Sequence, residues 1–237
     1  MTSPLLTMMT TIKQAGSLLF ITLFLISAAD CLYGQRKDFQ SWYEVELDRG
    51  FKNGLGLSAE IEQRFRNNSS RYDRSLVTIA AEYDFGDYLS AAAGARMLMA
   101  SDREMNIQPR YRFHADGTGR YALSELDLSF RVRLQYGFED FMYLTDFQQD
   151  NLMGRFRIKA AYHLFGTRID VFTLAESWGL FSSADGRFFK QLRYSAGASY
   201  SLSFRSELGL RYILEDEFNQ VNPLRSHILV LGFAYSL

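Results

Sequence analysis

Apolar and polar side chains alternate along most of this chain, and this pattern constrains the fold more than any other feature of the sequence. Within residues 122–135, for example, Leu128 and Phe130 occupy one parity. The polar side chains of Ser129 and Arg131 occupy the other. Because successive side chains of a β-strand point to opposite faces, a persistent period of two predicts amphipathic strands. The same alternation recurs in residues 55–66, 152–164, 192–202, 204–214 and 226–237.

The alternating segments and the turn residues between them predict an all-β protein with one domain. Strands are predicted near residues 41–48, 55–66, 74–85, 88–100, 106–115, 121–136, 151–165, 168–178, 188–202, 204–215 and 226–237. Most of them reach the roughly 9–11 residues that a tilted strand needs to cross a bilayer. These segments number eleven, whereas single-chain bacterial barrels have an even number of strands. We therefore expect that one segment is not a wall strand or that one further strand is present. The predicted fold is therefore an antiparallel, up-and-down transmembrane β-barrel of about 10–12 strands.

The predicted connections alternate in length along the chain. Tight turns are expected at residues 85–87 and 165–167 and near Ser203. Longer polar stretches lie between them, at residues 67–73, 137–151, 179–187 and 216–225. Short turns at one end and long loops at the other are typical of barrels that span the outer membrane.

The first 34 residues are predicted to be a secretory signal peptide. Lys13 precedes the apolar run AGSLLFITLFLISAA, which is short for a spanning helix but suits the central region of an export signal. Cleavage is expected after Gly34, with Ala29 as the alternative, and residues 35–237 then form the mature barrel. Cys31 is the only cysteine of the chain, so cleavage after Gly34 leaves a mature protein without disulfide bonds.

Three features predict that the apolar face of the strands meets lipid. The chain opens with an export signal, the predicted strands outnumber the usual eight of a soluble barrel, and the last strand ends on alternating large apolar residues. That ending resembles the C-terminal assembly signal of bacterial outer-membrane proteins, with Phe233, Tyr235 and Leu237 as its residues. The predicted location is therefore the bacterial outer membrane, after export through the inner membrane.

The opposite parity places charged side chains inside the predicted barrel. Three successive strands form a predicted basic wall of the lumen, made of Arg110, Arg112, Arg131, Arg133, Arg155, Arg157 and Lys159. The first three strands form a predicted acidic wall, made of Glu44, Glu46, Glu60, Glu62, Glu82 and Asp84. Two interpretations stay open: salt bridges across the barrel that plug the lumen, or a narrow pore that sorts solutes by charge.

The leading functional hypothesis is a non-enzymatic barrel, either a structural and partner-docking element or a narrow charge-selective channel. The alternative is a lipid-modifying enzyme of the acyl hydrolase type at the outer rim. His227 has outward parity and lies at the loop end of the last strand, where such a site is expected. Its same-face neighbours are Arg225 and Leu229, so they supply no serine nucleophile. No catalytic residue is therefore predicted.

The expected partners follow from the predicted location. They are the lipid bilayer, lipopolysaccharide, the outer-membrane assembly machinery and an envelope protein. The net charge of −1 gives no basis for nucleic-acid binding. The sequence has no metal-ligand spacing, phosphate loop or nucleotide motif, so neither a metal nor a cofactor is predicted.

Several segments also resemble a known family. They are DFQSWYEVELDRG, with Trp42 early in the first strand, EIEQRFRNNSSRYDR, RFRIKAAYHLF, AESWGLF and LRYSAGASYSLSFRSELGLRYI. They span nearly all of the mature chain and resemble an uncharacterised Bacteroidetes family, the domain of unknown function number 2490. The resemblance implies an outer-membrane β-barrel. It implies no catalytic residues, because none is established for that family.

Overall fold

A computed structural model describes residues 36–101, 107–138, 151–181, 188–219 and 223–237. The predicted signal peptide, with Cys31 and both cleavage positions, lies outside the described residues. Eleven strands are present, and they are β1 (Arg36–Gly50), β2 (Leu55–Arg66), β3 (Arg71–Asp84), β4 (Leu89–Ser101), β5 (Ile107–Leu123), β6 (Leu126–Phe138), β7 (Asn151–His163), β8 (Ile169–Leu180), β9 (Phe189–Ser201), β10 (Ser206–Glu217) and β11 (Leu224–Ser236). Within these residues, no helix has the length and apolar character to cross a membrane.

The strands form one closed barrel in which each strand pairs with its neighbours in sequence, so the predicted all-β, up-and-down barrel is confirmed. Every pair of consecutive strands is antiparallel. The seam between β1 and β11 is parallel, with Trp42 opposite Val230 and Asp48 opposite Ser236. The expectation of an even strand number is wrong for the described residues. An up-and-down chain with an odd number of strands has its first and last strands running in the same direction, so the closing pair must be parallel.

The connection between β5 and β6 differs from the prediction. The sequence predicts one strand ending at residue 115 and the next beginning at 121, but β5 continues to Leu123 and the chain turns at Ser124, whose φ is +52°. The inward side chain of Asp116 is buried and bonds to Arg133 of β6. Arg120 bonds to Asp84 of β3 at 3.0 Å. These lateral contacts hold the glycine-containing segment in the sheet, because each one ties β5 to another strand.

The connection between β2 and β3 is also shorter than predicted. Residues 67–73 were expected to form a long loop, but β3 begins at Arg71 and the turn occupies residues 67–70. Asn67, Asn68 and Ser69 have φ values of +57°, +55° and +58°, a left-handed conformation that asparagine tolerates better than most residues. The carboxylate of Asp38 accepts hydrogen bonds from the backbone N–H groups of Asn67 (3.2 Å) and Asn68 (3.1 Å), which stabilises this tight turn.

The apolar parity points outward and the charged parity points inward. On β2, the side chain of Ile61 is 53% exposed, whereas its neighbour Glu62 is only 3% exposed. On β3, Ile79 is exposed and Thr78 is buried. Aromatic side chains are also exposed around the end of the barrel that carries the short turns, and they are Phe85, Tyr88, Phe165 and Phe204. The barrel therefore presents an apolar wall with an aromatic band to its surroundings and encloses its charges.

Candidate functional site in the barrel lumen

The lumen is filled by side chains from every strand of the barrel. Each strand contributes at least one inward side chain that is less than a tenth exposed: Trp42 (β1), Glu62 (β2), Leu76 (β3), Leu98 (β4), His114 (β5), Gln135 (β6), Arg155 (β7), Glu176 (β8), Ser195 (β9), Ile213 (β10) and Ile228 (β11). Apolar residues pack together in one part of this ring, where Trp42, Ile213, Ile228 and Val230 form a buried cluster. Charged and other polar residues fill most of the remainder.

Glu176 is the centre of the charged part of the lumen. Its carboxylate accepts hydrogen bonds from Arg155 at 2.8 Å and from Arg157 at 3.1 Å. Guanidinium nitrogens of Arg131 and Arg193 lie 3.6 and 3.7 Å from it. Only 1% of the Glu176 side chain is exposed. Four arginines from β6, β7 and β9 therefore surround one buried carboxylate.

Two tryptophans extend this cluster around the lumen. The guanidinium carbon of Arg64 lies 3.6 Å from the ring centre of Trp42, and that of Arg155 lies 3.8 Å from the ring centre of Trp178. Arg193 lies between the two rings, 5.3 Å from Trp42 and 5.0 Å from Trp178. A guanidinium within about 6 Å of an aromatic ring is attracted to its face. Arg193 therefore joins β1, β8 and β9 through a single side chain.

Sequence reasoning missed Glu176 and its role in this cluster. Phe172 and Leu174 share its parity, so β8 looks apolar on both faces and gives no clear inward side. A usable signal was present, because β8 carries two acids at inward parity, Asp170 and Glu176, and Glu176 is the one that stands opposite Arg157 of β7. The arginines of β7 needed a carboxylate partner, and β8 offered this one.

The predicted basic residues are spread along the lumen from the loop end to the short turns. Arg133 donates two hydrogen bonds of 2.7 Å to the carboxylate of Asp116, and Arg131, Arg155 and Arg157 converge on Glu176. Lys159 lies nearer the short turns, with its ammonium 5.1 Å from the ring centre of Phe172. Arg110 and Arg112 lie at inward parity near the loop end of β5. The region that was predicted to be uniformly basic therefore also contains two buried carboxylates, those of Asp116 and Glu176.

The predicted acidic residues are paired with arginines that lie close to them in the barrel. The pairs are Glu44 with Arg211 (2.7 Å), Glu60 with Arg96 (3.3 Å), Glu62 with Arg64, and both Asp84 (3.0 Å) and Glu82 with Arg120. Glu46 lines the interior cavities. Glu62 and Arg64 lie on the same strand, and each of the other pairs joins strands that are two positions apart around the barrel. Neighbouring strands are about 5 Å apart, so an arginine side chain can span such a gap.

Described residues line two cavities within the packed lumen. The first, which we call the chamber, has a volume of about 310 Å³ and is lined by Glu176 and its arginines, by Trp42 and by Ser195. The second, which we call the turn-end cavity, has a volume of about 360 Å³ and is lined by Asp48, Gly56 and His114. The two cavities share five lining residues, which are Glu46, Glu60, Arg96, Arg131 and Arg133.

His227 lies on the outer wall near the loop end of β11. Its ring nitrogen Nδ1 is 2.5 Å from the hydroxyl of Tyr212. The residues paired with it are Phe39 of β1 and Leu214 of β10, so no serine stands opposite His227 on either neighbouring strand. Across the described part of the chain, no cluster of three or more histidine, cysteine or acidic side chains could hold a metal ion.

The predicted C-terminal assembly signal lies in the closing strand. Phe233 and Tyr235 belong to β11, which is hydrogen-bonded to β1 on one side and to β10 on the other. The backbone N–H of Leu237 donates to the carbonyl of Asp48 at 2.8 Å. The role of these residues in assembly stays a prediction.

The closed barrel, its apolar outer wall and its charged interior define an up-and-down β-barrel protein with a polar lumen. The chain belongs to the family described as "Protein of unknown function (DUF2490)", whose model matches residues 39–223, and the predicted family is thereby confirmed. A solved structure of the NanC porin, from a rhombohedral crystal form, has a similar fold with a TM-score of 0.54. It is 15% identical, and the match covers 84% of this chain and 99% of the porin chain. No curated protein matches this chain significantly.

Proposed function

We propose that this protein is a non-enzymatic barrel of the bacterial outer membrane, with a lumen closed to free passage of ions, that acts as a structural or partner-docking element of the envelope. The apolar outer wall, the exposed aromatic band and the porin-like fold support the membrane location. Short turns of such barrels face the periplasm. On this proposal the end of the barrel that carries Phe85, Phe165 and Phe204 lies on the periplasmic side.

The main evidence for a closed lumen is the ring of buried inward side chains. Side chains that line a water-filled pore are exposed to solvent. Here, by contrast, each of the eleven strands contributes at least one inward side chain that is less than a tenth exposed. The charged members of the ring have opposite charges within reach, as buried charges require. Small barrels fill their interiors with side chains in this way.

A narrow charge-selective channel is the second candidate. It is favoured by the chamber and the turn-end cavity, which share five lining residues and extend from the middle of the lumen toward the short turns. Rings of charged side chains can select ions by sign. The two candidates differ in whether the resting barrel conducts.

Bilayer conductance of the refolded barrel distinguishes these candidates. The closed barrel is expected to give no steady conductance, and Arg157→Glu is expected to destabilise it because a second carboxylate is placed beside Glu176. The channel instead predicts a conducting parent whose selectivity moves toward cations in Arg157→Glu. Arg168→Glu, which makes the same charge change in an exposed turn, is the control and should leave both properties unchanged. A parent that conducts steadily overturns the closed lumen.

The lipid-facing wall is tested by two neighbouring substitutions on β10. Leu210 points outward and is exposed, so Leu210→Arg should destabilise the barrel by about 2–4 kcal/mol if it lies near the middle of the bilayer. Gly209 points inward, and a Cβ atom added there meets nothing within 4 Å, so Gly209→Ser should have a much smaller effect. Denaturant titrations of refolding in lipid vesicles measure both. The reverse order of effects would mean that the apolar wall does not face lipid.

A further inference from the structure

We infer that the chamber around Glu176 binds a small solute that carries carboxylate or phosphate groups. This inference goes beyond the proposed function, because it concerns what occupies the lumen rather than whether the lumen conducts. It stands on the charge of the chamber, on buried donors without partners and on the chamber's volume.

The first observation is an excess of positive charge. Among the described residues that line the chamber there are eight arginines and five glutamates. Around Glu176 itself, four guanidinium groups surround one carboxylate, and those of Arg155 and Arg157 are hydrogen-bonded to it. Arg193 donates hydrogen bonds to Glu215, and Arg131 also lies 3.7 Å from Asp116. A guanidinium has five N–H donors in a planar fork that matches carboxylate and phosphate oxygens. Asp116 and Glu215 lie outside this lining and pair with Arg133 and Arg193, so eight arginines face seven carboxylates. The chamber therefore keeps a small excess of positive charge and more donors than its carboxylates can satisfy.

The second observation is a set of buried donors that lack a partner. Nε of Arg155 and Oγ of Ser195 are both buried without a hydrogen-bond partner, and both residues are more than nine-tenths buried. Nε of Arg211, which also lines the chamber, is buried and unpartnered as well. Buried polar groups are nearly always hydrogen-bonded, so such groups call for an acceptor. An oxyanion supplies acceptors for N–H and O–H donors together and offsets the excess charge.

The third observation is size. The chamber has a volume of about 310 Å³. A water molecule takes up about 30 Å³ of liquid, so the chamber is too large for a single inorganic ion alone and reaches the lower end of the range for small-molecule sites. The turn-end cavity brings no excess of positive charge, since its described lining has four arginines and five acidic residues. Selection of an anion is therefore expected in the chamber itself.

Calorimetric titration of the full-length barrel, refolded in detergent at low salt, tests this inference. Citrate represents a carboxylated solute, pyrophosphate a phosphorylated one, and sucrose an uncharged one. We expect saturable binding of one citrate or one pyrophosphate per barrel, and no binding of sucrose. Binding of only one of the two anions identifies which oxyanion the chamber prefers. Absence of saturable binding of both anions at millimolar concentration, in a barrel with native heat-modifiable mobility, overturns the inference.

Two variants locate the binding site. Arg157→Gln removes one charged donor from the chamber and should weaken binding about tenfold or more, as loss of a charge-assisted hydrogen bond does. Ser195→Ala removes an unpartnered hydroxyl, should leave the fold intact, and should weaken binding about two- to tenfold. Arg168→Gln makes the same charge change as Arg157→Gln in an exposed turn and should leave the affinity unchanged. Equal weakening in Arg168→Gln and Arg157→Gln would mean diffuse attraction and would overturn the inference.

The binding result and the conductance result are independent. A barrel that binds citrate but does not conduct supports both proposals, and a barrel that conducts and binds supports the chamber alone. A barrel that neither conducts nor binds supports the closed lumen and contradicts the anion site.

Discussion

Glu176→Gln is expected to destabilise the barrel by about 3–5 kcal/mol, the usual effect of removing one partner from a buried ion pair. The substitution keeps the shape of the side chain and removes only its charge. Arg155, Arg157, Arg131 and Arg193 then remain in the lumen without the carboxylate that they surround. Urea titration of the refolded barrel in lipid vesicles measures the free energy of unfolding.

Glu82→Gln is the matched control for Glu176→Gln. Glu82 pairs with Arg120 at the turn end of the barrel, and its side chain is 40% exposed. An exposed ion pair contributes about 0–1 kcal/mol, so this variant should remain close to the parent. Similar losses of stability in the two variants would show that Glu176 is no more important to the barrel than an exposed ion-pair partner.

Excess citrate should restore part of the stability of Glu176→Gln if the chamber binds anions, because a ligand stabilises the state that binds it.

A disulfide across the seam between β1 and β11 is expected to form almost completely. Asp48 and Ser236 are partners in the parallel register, and their side-chain oxygens are 3.1 Å apart. A disulfide requires Cα atoms within about 7 Å of each other, which neighbouring strands satisfy. The double substitution Asp48→Cys and Ser236→Cys, with Cys31 replaced by serine, should therefore oxidise readily in the assembled barrel. Mass spectrometry of the linked peptides measures the yield.

The direction of the seam is tested by a second pair of cysteines. In the parallel register Ser226 stands opposite Asp38, ten residues along β1 from Asp48. That separation corresponds to roughly 33 Å along a strand, so Asp48→Cys with Ser226→Cys should not form a disulfide. Formation of this link in place of the first would mean that β1 and β11 do not pair in the parallel register.

Most of the fold could be predicted from the sequence, and the errors of the prediction have identifiable causes. The strands were found because period-two alternation is a local property of the chain. The turn near Ser124 was misplaced because glycines in residues 116–120 resemble a loop, whereas Asp116 and Arg120 are held in the sheet by partners on other strands. The parallel seam was not foreseen, because the direction of the closing pair depends on the number of strands in the whole barrel.

The candidate site was only partly predictable. Parity identified the charged residues of the inward face, including Arg155, Arg157 and Glu62. It did not identify Glu176 as their centre, and it placed the acidic and basic groups on separate walls. Ion pairs depend on which strands become neighbours and on their register, so the partners Arg96 and Arg211 could not be assigned from their own segments.

The sequence by itself determined which segments form strands and which side of each strand is apolar. Both depend on the order of adjacent residues, and steric preferences of the backbone then place alternate side chains on opposite faces. Only the tertiary structure decided the parallel closure of β1 on β11 and the convergence of four arginines on Glu176. Those arrangements join residues that are distant in sequence, and they arise only when all the strands have paired in register and the barrel has closed.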